Sequence, residues 1–281
     1  MPTKLSHYAE GVMEAAWLLA ALITPVFFNV YSSRIFEPDK ITLLRSLALV
    51  VLAAWVVKLV EEGGLRWEVV SSEGTGIRWR LSELVRAPLI GLVFALAVVY
   101  LLATIFSVTP YTSFWGSYQR LQGSYTTLSY LVLFAALAAN LRHRAQVERL
   151  ILAVILSSLP VSLYGILQRY RADPIPWGGD VTVRIAANMG NSIFVAAYLV
   201  MVFPLTAMRL VESFEALLKD RGLALANFAR ATGFTFIAAL QVTALYFSGS
   251  RGPWLGWGAS LVLLWLGLSL VWRKRWMTIA G

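Results

Sequence analysis

Cysteine is absent from this chain of 281 residues, so neither a disulfide framework nor a thiolate metal site is open to it. Histidine is nearly absent: only His7 and His143 occur, and no His/Asp/Glu group has metal-ligand spacing, which argues against a metalloenzyme. Neither a metal nor another cofactor is expected. Charge is scarce as well, 14% of residues against roughly 25% in an ordinary globular chain, which excludes the soluble class. Carboxylates are the rarer sign, 15 against 24 basic residues, and the long apolar runs hold almost none, Glu14 being the exception. Ion-coupled transporters and proton pumps usually carry Asp or Glu at mid-membrane, so their class is disfavoured.

What is present is apolar. Hydrophobic residues make up 58% of the chain, and the mean hydropathy is +0.69. Runs of about 20 residues, long enough to cross a bilayer, recur near 11–30, 42–60, 88–106, 125–140, 150–168, 193–209, 231–248 and 253–271. The pattern predicts an all-α polytopic bundle of about eight spans, forming a single transmembrane domain over 1–281 in contact with membrane lipid. The first run is too long for a signal peptide and lacks a small-residue cleavage site.

The net charge of +9 could suggest nucleic acid, but the lysines and arginines fall in short loops, where topology places them. No nucleic-acid-binding signature occurs. With the N-terminus inside, most basic residues lie on the inner side, so both termini are predicted to be cytoplasmic. Residues 65–70 and 77–82 alternate apolar and polar around Ser71–Gly76, predicting a small cytoplasmic β-hairpin. Residues 210–228 place apolar side chains at helical spacing opposite Glu212, Glu215 and Lys219, predicting an interfacial amphipathic helix.

Three loops on the opposite side draw attention. Residues 114–123 (FWGSYQRLQG) read first as an aromatic belt, yet that account leaves Arg120 and Gln122, between two glycines, unexplained. The loop 169–192 carries Arg184 and then small and amide residues up to Asn191. The turn Phe247–Trp254 holds Arg251 among Ser250, Gly252 and Pro253, and an arginine at a membrane boundary is costly unless paired. Two spans separate Arg184 from Arg251, which returns the chain to one face. Guanidinium forks bind phosphate bidentately, more strongly where water is scarce. The candidate binding set is therefore Arg184, Arg251 and Arg120 with Trp115, Gln122, Asn191 and Ser250, and the ligand that fits is a lipid-linked diphosphate.

With the helix pattern, three stretches resemble the O-antigen ligase/polymerase family of bacterial envelope enzymes: 114–123, the Arg184–Asn191 segment, and SGSRGPWLGW at 248–257. Pro38-Asp39-Lys40 and Gly165-Ile166-Leu167-Gln168 are similar too. The resemblance implies metal-free, inverting glycosyl transfer on the outer face of the bacterial inner membrane. A glycan would pass from an undecaprenyl diphosphate carrier to a lipid, glycan or protein acceptor, with Arg184 and Arg251 engaging the diphosphate. It also implies a general-base histidine on a large outer loop downstream of the second arginine. His7 and His143 map to the other side, so these 281 residues are expected to be an N-terminal part, inactive alone. The alternative reading is a transporter or flippase for an anionic lipid or solute.

Overall fold

The computed structural model describes residues 3–32, 34–62, 88–175, 177, 179–219 and 224–279. Among them every regular element is helical. The chain divides into two compact units, 1–153 and 154–281, with the division inside one long helix.

The first unit begins with α1 (Lys4–Ile23), capped by the Thr3 hydroxyl, which accepts from the Ser6 N–H at 3.1 Å. Helix α2 (Glu37–Glu61) has Pro38, Glu37 and Asp39 in its first turn and Lys58 in its last, all matched to the helix dipole. Then come α3 (Pro88–Ile105), the six-residue α4 (Pro110–Trp115) and α5 (Ser124–Asn140). Met13 and Trp17 of α1 pack on Val51 of α2, and Ala16, Ala54 and Ala136 allow α1, α2 and α5 to approach closely. At one end of this bundle Lys58 is buried. Its ammonium donates to Glu10 Oε1 at 2.5 Å and to Asn140 Oδ1 at 2.8 Å, which offsets the cost of hiding a charge.

Helix α6 (Arg144–Arg169) runs from the first unit into the second, which continues with α7 (Ser192–Lys219), α8 (Ala224–Phe247) and α9 (Arg251–Ile279). Helices α7 and α8 pack along each other over Val195, Leu199, Val202, Ala231 and Leu245. Polar side chains join the helices as well. Gln241 Nε2 donates to Ser158 Oγ at 2.7 Å and to Thr206 Oγ1 at 2.9 Å, and Ser157 meets the Tyr198 hydroxyl at 2.6 Å. Where neighbouring lipid is as apolar as leucine, such bonds supply cohesion that burial alone does not.

Four helical stretches among the described residues are long and apolar enough to cross a membrane: Glu37–Glu61, Arg144–Arg169, Ser192–Leu218 and Leu225–Phe247. Only 28–33% of each apolar window is buried, so most of that hydrocarbon faces outward, where lipid would cover it. The chain thus has the character of a membrane protein. Of the eight expected spans, four meet that length and hydropathy among the described residues. Helix α1 is diluted by His7, Glu10 and Glu14, α5 has 17 residues, and the apolar stretch of α3 covers only Gly91–Ile105. The hairpin expected at 65–82 lies outside the described residues. The expected interfacial helix at 210–228 is instead divided: Leu210 to Leu218 extend α7, while Leu225 and Phe228 belong to α8.

Candidate anion-binding site

The end of α6 is built to turn sharply. The Ala172 N–H bonds to Leu167 O at 3.0 Å and the Arg171 N–H to Gln168 O at 3.1 Å, with Arg171 at φ 61°. This is the double closure that stops a helix. It leaves Gln168 and Arg169 facing the return loop 170–191.

That loop is organised around Asp173. Its carboxylate accepts from the Trp177 indole (2.6 Å), the Tyr164 hydroxyl (2.9 Å), the Ile175 N–H (3.0 Å) and Gln168 Nε2 (3.2 Å). Burial alone would push this carboxyl up. The donors from Ile175, Trp177, Tyr164 and Gln168 outweigh it and hold the group below its usual range. Asp180 is held low by the Thr182 hydroxyl and N–H, aided by the Val183 N–H and the charge of Arg171. Both acids are therefore ionised structural acceptors within the loop.

Arg184 leaves this loop towards the turn between α8 and α9. Its stem lies against Gly249, Nε donates to Ser248 O at 3.4 Å, and Nη2 donates to Ser250 Oγ at 3.2 Å. Gly249 has φ +58°, a backbone state that favours glycine, and a β-carbon there would press on Arg184 Cγ. The Ser250 carbonyl accepts the first helical bond of α9 from Trp254, so Arg251 opens that helix. Arg169, last in α6, hydrogen-bonds Thr182 O and lies 5.3 Å from the Phe247 ring centre. Arg169, Arg251, Gly249, Val183, Tyr246, Phe247, Trp254 and Leu255 line a cleft of about 850 Å³.

Among the described residues, none of Arg169, Arg184 and Arg251 forms an ion pair. Three guanidinium groups thus surround one turn with donors to spare, beside the positive end of a helix dipole. The polar side chains lining the cleft are Arg169, Arg251 and the Tyr246 hydroxyl. With aromatic walls, this chemistry suits an anion attached to an apolar body.

The sequence-predicted residues fall into both units. Arg184 reaches Ser250 Oγ at the turn from which Arg251 opens α9. Asn191 caps α7, its Oδ1 accepting from the Ile193 N–H at 2.9 Å. Trp115, Arg120 and Gln122 belong to the first unit. There Arg120 is exposed and pairs with Glu37 at 3.6 Å, so it differs from the three unpaired arginines. Gln122 lies beside the Tyr130 side chain, and Trp115 stacks edge-on against Phe114 and Tyr125.

Sequence reasoning missed three residues. Arg169 is indistinguishable in sequence from a charge that merely ends a span. Gln168 stands out only as a long amide in the last turn of an apolar helix. Arg45, inside the second apolar run, was the clearest signal, since a charge there needs partners. Buried on α2, it donates to Thr126 Oγ1 (2.9 Å), Trp115 O (2.9 Å) and Leu121 O (2.6 Å), over the Tyr125 ring at 4.5 Å. It ties down the loop 115–121, where Gly116 and Gly123 bring two backbone strands together too closely for any β-carbon.

No family model, curated protein or solved structure matches the chain.

Proposed function

We propose that this chain is a polytopic membrane protein of the O-antigen ligase/polymerase type. In this reading it carries about eight spans in the bacterial inner membrane, has both termini in the cytoplasm, and holds the diphosphate of an undecaprenyl-diphosphate-linked glycan on the outer side. The observation that carries the reading is the convergence of Arg169, Arg184 and Arg251, without carboxylate partners, around the turn that ends the apolar helix α8. Helix ends are where the head of a membrane-borne diphosphate lies, and forked donors match its oxygens.

The chemistry follows from the leaving group. An acceptor hydroxyl on a lipid, glycan or protein attacks the anomeric carbon from the face opposite the carrier, the sugar–phosphate bond breaks, and both its electrons leave with the diphosphate. Guanidinium groups placed at that diphosphate stabilise the charge that grows there. The acceptor's proton passes to a base, for which the described residues offer no histidine at the cleft. The contribution of this chain is therefore carrier binding and leaving-group stabilisation.

The test is binding of farnesyl diphosphate, with farnesol as the control, to the purified chain in nanodiscs. The diphosphate should bind, farnesol should not compete, and Arg184→Ala or Arg251→Ala should each weaken binding at least about tenfold, since charge-assisted bonds are worth ~1.5–3 kcal/mol. Equal affinity for alcohol and diphosphate, or no loss in either variant, removes the assignment.

A further inference from the structure

We infer that Gln168 is a positioning residue for the arginine cluster beside the cleft: its carboxamide fixes the backbone from which Arg184 projects. The inference rests on the proposed role of Arg184 as an anion ligand, though the clamp itself is a matter of geometry.

Gln168 is fully buried in the last turn of α6. Its Oε1 accepts from two successive backbone N–H groups, Ala186 at 3.0 Å and Ala187 at 2.7 Å, so both lone pairs are in use. Its Nε2 is committed to Asp173 Oδ2 at 3.2 Å. One side chain therefore joins the helix end, the Asp173 hub and the segment after Arg184.

That segment needs holding. Ala187 has φ +43°, a left-handed conformation that costs a non-glycine residue energy and relaxes unless its surroundings impose it. Ala186 and Ala187 are buried, so their N–H groups have no water to turn to. The chain is confined from two further sides. Ile185 N–H bonds to Phe247 O at 3.3 Å, and a β-carbon on Gly165 would stand 2.6 Å from Ile185 Cδ1. Arg184 is the residue immediately before this pinned stretch. Its reach to Ser248 O and Ser250 Oγ depends on where 185–187 sit, and Gln168 supplies the hydrogen bonds that place them.

The absence of cysteine permits a direct measurement. Nitroxides at V183C and L255C, two exposed positions lining the cleft, report the distance between the loop and α9. The parent chain should give one narrow distribution. Q168M, which keeps the volume and loses every hydrogen bond, should broaden or shift it at temperatures well below unfolding. Farnesyl diphosphate should bind Q168M about tenfold more weakly than the parent, and Q168M/R184A no more weakly than R184A. A distribution unchanged in Q168M, or losses that simply add in the double variant, overturns the inference. If Q168M does not fold, amide exchange in the parent decides: Ala186 and Ala187 should exchange far more slowly than exposed loop amides, and equal rates refute the clamp. If the parent does not bind farnesyl diphosphate, the proposed function fails while the distance and exchange measurements still judge the clamp.

Discussion

The stem of Arg184 lies on Gly249, so closely that a β-carbon at Gly249 would meet Arg184 Cγ at 3.3 Å. One residue's missing side chain thus sets the path of another's charge. Gly249→Ala should cost ~1–2 kcal/mol for the left-handed backbone and should displace the guanidinium from Ser250. The expected outcome is a lowered melting temperature together with weakened farnesyl diphosphate binding. Stability lost with binding intact would show that Arg184 acts elsewhere.

Arg45 should govern the first unit's loop as Gln168 governs the second's. Removing its guanidinium takes a donor from the Trp115 carbonyl and the Thr126 hydroxyl, and leaves the Leu121 carbonyl to the Thr126 hydroxyl at 2.6 Å. Charge-assisted bonds of ~1.5–3 kcal/mol each, not fully additive, imply that Arg45→Ala destabilises the chain by ~2–4 kcal/mol. Limited proteolysis should then cut within 116–122, a segment closed in the parent. Arg45→Lys should rescue only partly, since a single ammonium cannot match three acceptors from one plane.

The parts legible in sequence were those with a continuous physical signal. The apolar run at 150–168 falls within α6, and that at 231–248 largely within α8, because hydrocarbon length alone specifies a spanning helix. The turn at 248–250 was legible from its Ser and Gly residues. Gln168 and Arg169 were not, because their meaning lies in a helix closure that aims them at residues 13 to 19 positions onward. Asn191 caps a helix through its Oδ1, a role that its place just before an apolar run also suits and that leaves its Nδ2 donors to other partners. Helix α1 falls short of the hydropathy of a spanning helix because it starts ahead of the apolar run at 11–30 and takes in His7 and Glu10.

Lys58 tests the other end of the first unit. Its ammonium is buried between Glu10 and Asn140. Lys58→Ala should destabilise by ~1–3 kcal/mol, chiefly because the buried Asn140 Oδ1 loses its charged donor while Glu10 stays half exposed. Lys58→Met should cost less, by restoring the lost volume. Thermal unfolding in detergent distinguishes the two, and equal, negligible losses would show that the pair is solvated.

Topology can be read on the same cysteine-free background. Single cysteines at Val183 and His143, both exposed, should react with a membrane-impermeant maleimide from opposite sides of intact cells: V183C from outside, H143C only after permeabilisation. Labelling of both from one side would overturn the proposed topology, in which α6 crosses the membrane between them.

Acid should loosen the Asp173 hub in a defined direction. Its carboxyl lies below the usual range in the folded loop, because four donors outweigh its burial. A group depressed on folding stabilises fully above its unfolded pKa, about 3.9 for Asp, and that contribution disappears as pH falls through the lower folded value. Exchange of amides in 173–187 should therefore be flat from about pH 5 to 8, after correction for intrinsic rates, and accelerate below about pH 4. Asp173→Asn removes the charge that Trp177, Tyr164 and Gln168 hold, so it should exchange faster at neutral pH and lose the acid transition. Because Gln168 Nε2 donates to this carboxylate, Arg184 should loosen in step. Farnesyl diphosphate binding in Asp173→Asn should weaken at neutral pH even though residue 173 is no part of the cleft lining. Acceleration in acid that persists in the Asn variant would assign the transition to another group.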